Sequence, residues 1–159
     1  MSRPCKISIK IADGSIYDAE TTYGLYLVDS DDIAVAPVKD YEVQSYPESA
    51  AVEIYPYTTK QTFDYKVTLL KFGDISTVNT SVNAFYDSLF EVSSGVDLRM
   101  AKAITIYNVW KGVQVTGYAK STSATGNYPQ LIEAEKAAYT FDLVLQVADP
   151  TTLVPYNGT

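Results

Sequence analysis

The chain reads as a mainly β protein, an antiparallel β-sandwich or barrel carrying one amphipathic α-helix at about residues 80–92. Three observations lead there. Two long stretches alternate apolar and polar residues with period two, Phe63–Phe72 and Tyr139–Val147. A single stretch between them switches to helical spacing. Long crossover helices are missing between the strand-like segments, so neighbouring strands are expected to run antiparallel.

The elements follow in order. Ile7, Ile9 and Ile11 alternate with Ser8 and Lys10, a half-buried strand over Cys5–Ile11 closed by an Asp13-Gly14 turn. Tyr23–Val28 is a second short strand, and Asp29-Ser-Asp-Asp32 a polar loop after it. Ile33–Val38 is apolar but contains Pro37, which restricts it to an edge or extended position. Tyr41, Val43 and Ser45 alternate with Glu42 and Gln44. Pro47 and Pro56 then punctuate a stretch with Val52 and Ile54 as a short strand between them. Phe63, Tyr65, Val67 and Leu69 share one face of the first long strand, which Gly73-Asp74 ends.

Val82, Phe85, Tyr86, Leu89 and Phe90 follow helical spacing, with Thr80 or Ser81 as N-cap and Gly95 past the end. This aromatic stripe is expected to cap an open end or face of a sheet. Strand character resumes at Ala103–Tyr107 and at Trp110–Tyr118, and Ser121–Asn127 is a polar loop. Periodicity leaves Leu131–Ala138 open between a helical turn and the start of a strand. Asp149-Pro150 ends the second long strand, and the tail to Thr159 is expected to be loose.

The chain has 159 residues, 47 % of them apolar and 19 % charged, enough for the core of one ordinary domain. No apolar stretch approaches the roughly 18–20 residues of a membrane-spanning helix. The start, Met-Ser-Arg-Pro-Cys-Lys, lacks the apolar segment of a secretory signal, and one cysteine cannot form an intramolecular disulfide. The chain is therefore expected to fold in a reducing cytoplasm. Asn79-Thr-Ser and Asn157-Gly-Thr fit the glycosylation pattern only by chance under that reading.

The formal charge is −7. Ten acidic residues fall between Asp13 and Glu53 against one basic residue, Lys39, while the remainder is close to neutral. The acidity belongs to one segment, either as a solvated face or as one functional surface. It weighs against direct binding to nucleic acid or anionic lipid, whose phosphates call for cations.

Little catalytic chemistry is available. The chain has no histidine, so Ser-His-Asp and Cys-His arrangements lack their base, and one cysteine does not build a zinc site. Asp29, Asp31 and Asp32 resemble the start of a calcium loop without its glycine and terminal glutamate, and a solvated turn is the alternative. Carboxylate pairs such as Asp18/Glu20 and Glu133/Glu135 have the residue types a glycosidase uses, as any chain with nineteen acids does. No catalytic residue, metal or cofactor is expected, and no small-molecule substrate. Fourteen tyrosines are many for this length, and five of them, Tyr41, Tyr46, Tyr55, Tyr57 and Tyr65, fall in the span that also carries Pro47 and Pro56. Tyrosine favours strands, and it is also enriched at interfaces and sugar sites because an apolar ring carries a polar tip.

The order of these segments resembles the N-terminal domain of siphophage distal tail proteins, a tail-tube-like fold family. Tyr23-Gly24-Leu25-Tyr26-Leu27 is similar to the family's early Tyr/Trp-Gly-Leu strand, and Ile33…Pro37…Lys39 to its proline and lysine. Tyr41-Glu-Val43 leading to Pro47-Glu48 and Glu53-Ile54 resembles the segment with its proline turn, here Pro47-Glu-Ser-Ala-Ala51 without the family's two glycines. Phe63–Phe72 with the helix after it, Trp110-Lys-Gly112, and Phe141 to Asp149-Pro150 resemble its core strand, aromatic-x-Gly strand and closing strand.

The resemblance implies a non-catalytic tail component, made in the cytoplasm of a bacterial host and assembled into the virion tail. It implies a homo-oligomer, a hexameric ring around the tail channel, with other tail proteins as partners. It implies no specific nucleic-acid binding and no membrane. On that reading Asp29, Asp31, Asp32, Asp40 and Glu42 are candidate channel-lining or partner-facing acids, and Tyr41, Tyr46, Tyr55 and Tyr57 candidate interface aromatics. The other class consistent with the residues is a β-sandwich carbohydrate-binding or adhesin-type module using its tyrosines.

Overall fold

The computed structural model describes residues 5–48, 50, 52–92, 99–120, 130–133 and 135–156. The polar loop 121–127, Gly95, Ser49, Ala51 and Asn157 lie outside them. The architecture is mainly β and antiparallel. One layer is built from β1 (Ile7–Ile11), β2 (Ile16–Asp18), β9 (Ile104–Asn108) and β10 (Val113–Lys120). The other runs β3 (Leu25–Ser30), β6 (Phe63–Asp74), β12 (Lys136–Val147) and again β10. The remaining strands are β4 (Glu42–Ser45), β5 (Val52–Tyr55), β7 (Phe90–Val92), β8 (Arg99–Ala101), β11 (Gln130–Glu133) and β13 (Val154–Pro155).

The two layers share β10. Its first half, Val113–Gly117, pairs with β9, and Tyr118–Lys120 pairs with β12. Gly117 stands where the strand changes partners. A Cβ there would lie 2.7 Å from the Gln146 carbonyl oxygen, so only glycine lets β10 approach β12 this closely.

Period-two patterning produces the core. Ile7, Ile9, Ile104, Ile106, Val113 and Val115 face inward from one layer. Leu25, Leu27, Tyr65, Val67, Leu69, Phe141, Leu143 and Leu145 face inward from the other. A buried polar contact crosses between them. Asn108 Nδ2 donates to Ser30 Oγ and to the Tyr65 hydroxyl, both at 2.9 Å, while Asn108 Oδ1 accepts from Lys111 N at 3.0 Å.

The helix caps the inner face of the β6/β12 end, as its stripe implied. Phe85 contacts Tyr23 and Phe141 at ring separations of 5.2 and 6.3 Å, and the Tyr86 hydroxyl donates to the Asp142 carbonyl at 2.6 Å. Its bounds differ from the expected 80–92. Helix α1 spans Val78–Ser88 with Thr77 at the N-cap, which makes no side-chain capping bond. Thr80 and Ser81 are interior helical residues instead. Buried Val78 seats the first turn beside Gly73, and at the other end Phe90 leaves the helix to pair with Ala101. Tertiary pairing thus shortens a period that continued in sequence.

Other expectations change in the same way. Asp29 and Ser30 belong to β3, which carries a bulge against β6, so the polar loop starts later than read. Val109–Gly112 form a turn rather than strand, because Asn108 accepts from Lys111 N and Gly112 N while Gly112 takes φ 76°. Tyr23 precedes its strand, in a π-helical turn over Ala19–Tyr23 capped by Asp18 and by Gly24 at φ 65°. The described part of 131–138 is strand on both sides of a turn, β11 ending at Glu133 and β12 starting at Lys136, with Glu135 at φ 63° and Ala134 outside the described residues.

The tail is docked as far as Tyr156, not loose. Leu153 is buried, Val154 and Pro155 pair with β10, and Tyr156 N donates to the Gly112 carbonyl at 2.8 Å.

Candidate interaction surface

Between β3 and β6 the chain leaves both layers. Its stem is closed by the Val38–Lys60 bridge, by Lys39 N donating to Thr59 O at 2.9 Å, and by Gln61 N donating to Pro37 O at 2.7 Å. Thr58 Oγ1 adds a bond to the Lys39 carbonyl at 2.6 Å. Beyond the stem, β4 and β5 form an antiparallel hairpin that pairs with no other strand among the described residues. Between Pro37 and Gln61 only Thr58 is even half-buried among the described side chains, and the rest are exposed. This is an arm.

Register gives the arm two chemically different faces. Val43 stands opposite Ile54, and Glu42, Gln44 stand opposite Tyr55 and Glu53. Side chains alternate, so Tyr41, Val43 and Ile54 lie on one face while Glu42, Gln44, Glu53 and Tyr55 lie on the other. On the polar face the Tyr46 hydroxyl donates to Glu53 Oε2 at 3.3 Å. On the apolar face Val43 and Ile54 are 55 % and 54 % exposed. The alternation in the sequence is therefore amphipathic as expected, but none of the described residues buries its apolar side.

All four tyrosines proposed from sequence, Tyr41, Tyr46, Tyr55 and Tyr57, are exposed on this arm or its stem. Asp40 and Glu42 join them. With Lys39, Tyr57, Thr58 and Thr59 they line an open concavity of about 330 Å³ beside the stem.

The other three acids are elsewhere and already engaged. Asp29 Oδ1 accepts from Ser30 N at 2.8 Å, and Asp31 Oδ2 accepts from Lys66 N at 2.9 Å. Asp32 pairs with Lys111, whose ammonium lies 3.9 Å from the centre of the Trp110 ring. The hydrogen bond to Asp32 raises the Lys111 pKa. These carboxylates pin the chain where it departs from β3, and among the described residues no group of three side chains is placed to hold a metal ion. Asp18, one of the paired acids, caps the π-helical turn through Glu20 N and meets Lys6 at 3.3 Å.

Sequence reasoning missed Val43 and Ile54 as surface residues, because period-two patterning reads alike whether or not a second layer covers it. It also missed Tyr26, Val28 and Phe72, which stand exposed on the outer face of β3 and β6. Among the described residues no helix is long and apolar enough to cross a membrane. No protein-family model and no curated protein matches the chain.

Proposed function

We propose that the chain is a structural component of a phage or prophage tail, resembling the distal tail hub, which self-assembles into a ring around the tail channel and catalyses nothing. The observation that supports this reading is the arm. A two-stranded hairpin is marginally stable by itself, and an exposed apolar face on it is a contact surface in want of a partner. The described side chains offer interface chemistry, tyrosines and acids on a projecting hairpin, and no buried reactive constellation. The acidic segment suits a channel through which DNA passes, since like charge discourages sticking.

The test is solution mass by light scattering over a wide concentration range, with negative-stain imaging of the largest species. A ring near six times 17.5 kDa with a central hole is the expected result. A chain that stays monomeric both alone and with neighbouring tail proteins refutes it.

The concavity beside the stem favours a second reading, a carbohydrate-binding module. Tyr57 is 84 % exposed there, an aromatic platform flanked by Asp40, Glu42 and Lys39, which is the residue set that stacks on and hydrogen-bonds a sugar. A glycan screen with Tyr57→Ala as control separates the two readings.

A further inference from the structure

A cleft of about 300 Å³ opens between the π-helical turn and α1, at the lower end of the size range of small-molecule sites. Half-buried Lys71 lines it. Tyr65, Val67 and Leu69 share its face of β6 and are fully buried, so the lysine stands where parity calls for another apolar side chain. Its register neighbours are Leu25 on β3 and Tyr139 on β12.

The Lys71 ammonium donates to the Tyr23 carbonyl at 2.7 Å. It lies against the bare backbone of Gly24, where a Cβ would stand 2.7 Å from it. An ammonium has three N–H donors, and among the described residues no second group accepts from this one and no carboxylate pairs with it. A half-buried cation thus has one neutral acceptor and no counter-charge. The walls around it are of two kinds. Leu25, Ala84 and Phe85 are apolar, while Thr22, Ser81 and Ser88 bring hydroxyls. Of these only Ser88 is bonded within the described protein, to the Phe85 carbonyl at 2.5 Å. The chain carries nineteen acids, yet no described acid lines this cleft.

We propose that the cleft binds a small organic carboxylate, its head on Lys71 and the Thr22 and Ser81 hydroxyls, its apolar body against Leu25, Ala84 and Phe85. The unpaired ammonium selects an anion, and the apolar wall selects an organic acid over an inorganic one. The ligand is held and not turned over, since no described acid, histidine or cysteine lines the cleft to move a proton. This goes beyond the assembly reading and does not depend on it.

Benzoate is the probe, with benzamide as its uncharged counterpart and inorganic phosphate as an anion without an apolar body. Saturation-transfer NMR observes the small molecule and so serves a single chain and an assembly alike. Benzoate is expected to bind at least about tenfold more tightly than benzamide, the worth of one charge-assisted hydrogen bond. Phosphate at equal concentration should not displace it. Lys71→Met should weaken benzoate by about tenfold or more. That variant also removes the donor to the Tyr23 carbonyl, so a second one keeps the lysine. Ala84→Phe fills the cleft from an exposed helix position and should abolish binding. Circular dichroism confirms that both are folded. Benzoate that fails to bind, binds no better than benzamide, gives way to phosphate, or still binds Ala84→Phe overturns the site. A folded Lys71→Met that binds benzoate as the wild type does overturns it as well.

Discussion

Replacing Tyr65 by Phe removes one oxygen from the centre of the molecule and nothing else. The Tyr65 side chain is fully buried, and its hydroxyl accepts from Asn108 Nδ2 at 2.9 Å. Burial pushes the phenol pKa up, so at neutral pH the group is an uncharged hydrogen-bonding partner. In Tyr65→Phe the Asn108 N–H that pointed at the hydroxyl is left buried without that acceptor. An unsatisfied buried donor costs about 1–3 kcal/mol, so the variant should lose about 2 kcal/mol. For a chain of this size that corresponds to a fall of about 4–8 °C in Tm.

Asn108→Leu should cost more, about 3 kcal/mol or above, because the Tyr65 hydroxyl, Ser30 Oγ and Lys111 N all lose their partner together. The double variant should be less destabilised than the sum of the two, by about 1 kcal/mol, since removing both partners leaves fewer orphans than removing one. Urea unfolding followed through Trp110, the chain's one tryptophan, reads all three. The slope against urea should stay constant while the midpoint moves. A Tyr65→Phe midpoint within about 0.5 kcal/mol of wild type, or strict additivity, refutes the argument that this contact ties the layers.

Further outcomes follow from other contacts. Phe85→Ala should cost about 3–5 kcal/mol in the same assay, because it empties the space between Tyr23, Tyr86 and Phe141. Gly117→Ala should cost about 1–3 kcal/mol, since the new methyl meets a backbone carbonyl that cannot swing away. Val43→Asp with Ile54→Asp should leave the midpoint within about 0.5 kcal/mol while light scattering reports only monomer, as both residues are exposed on the arm.

Asp149 accepts from Thr151 Oγ1 at 2.6 Å and Thr151 N at 3.0 Å, which holds its carboxyl below the ordinary range. Its stabilising contribution is therefore complete above the unfolded pKa of about 4 and is lost as pH falls through the lower folded value. Amide exchange at Tyr156 should accelerate across that window, and in Asp149→Asn this acid-dependent step should disappear.

Strands that alternate strictly, such as Ile7–Ile11 and Tyr139–Val147, were legible because a side chain's face follows from its parity. The helix was legible in type, while its ends were set by Val78 against Gly73 and by Phe90 pairing with Ala101, contacts that no local window contains. The same limit explains the candidate surface. Tyrosine clustering located the arm, yet Val43 and Ile54 carry the same signature as core residues. What distinguishes them is that no opposing layer covers them among the described residues, a property of the whole topology. Asp29, Asp31 and Asp32 looked like one cluster in sequence, but the β3 bulge and the Lys66 and Lys111 contacts give each its own partner.

The strand shared by the two layers also fixes a timetable for synthesis. β1 emerges first and finds its long-range neighbour only when Ile104–Asn108 follow it out, and β6 waits for Lys136–Val147 for its longest pairing. β10 cannot join the layers until both have arrived. A growing chain can thus make the β1–β2 and β3–β6 pairings early, yet it must wait for β9, β10 and β12 to complete either layer, a topology that folds slowly and invites chaperones. The arm, whose own pairing is local, is complete long before the body that will present it.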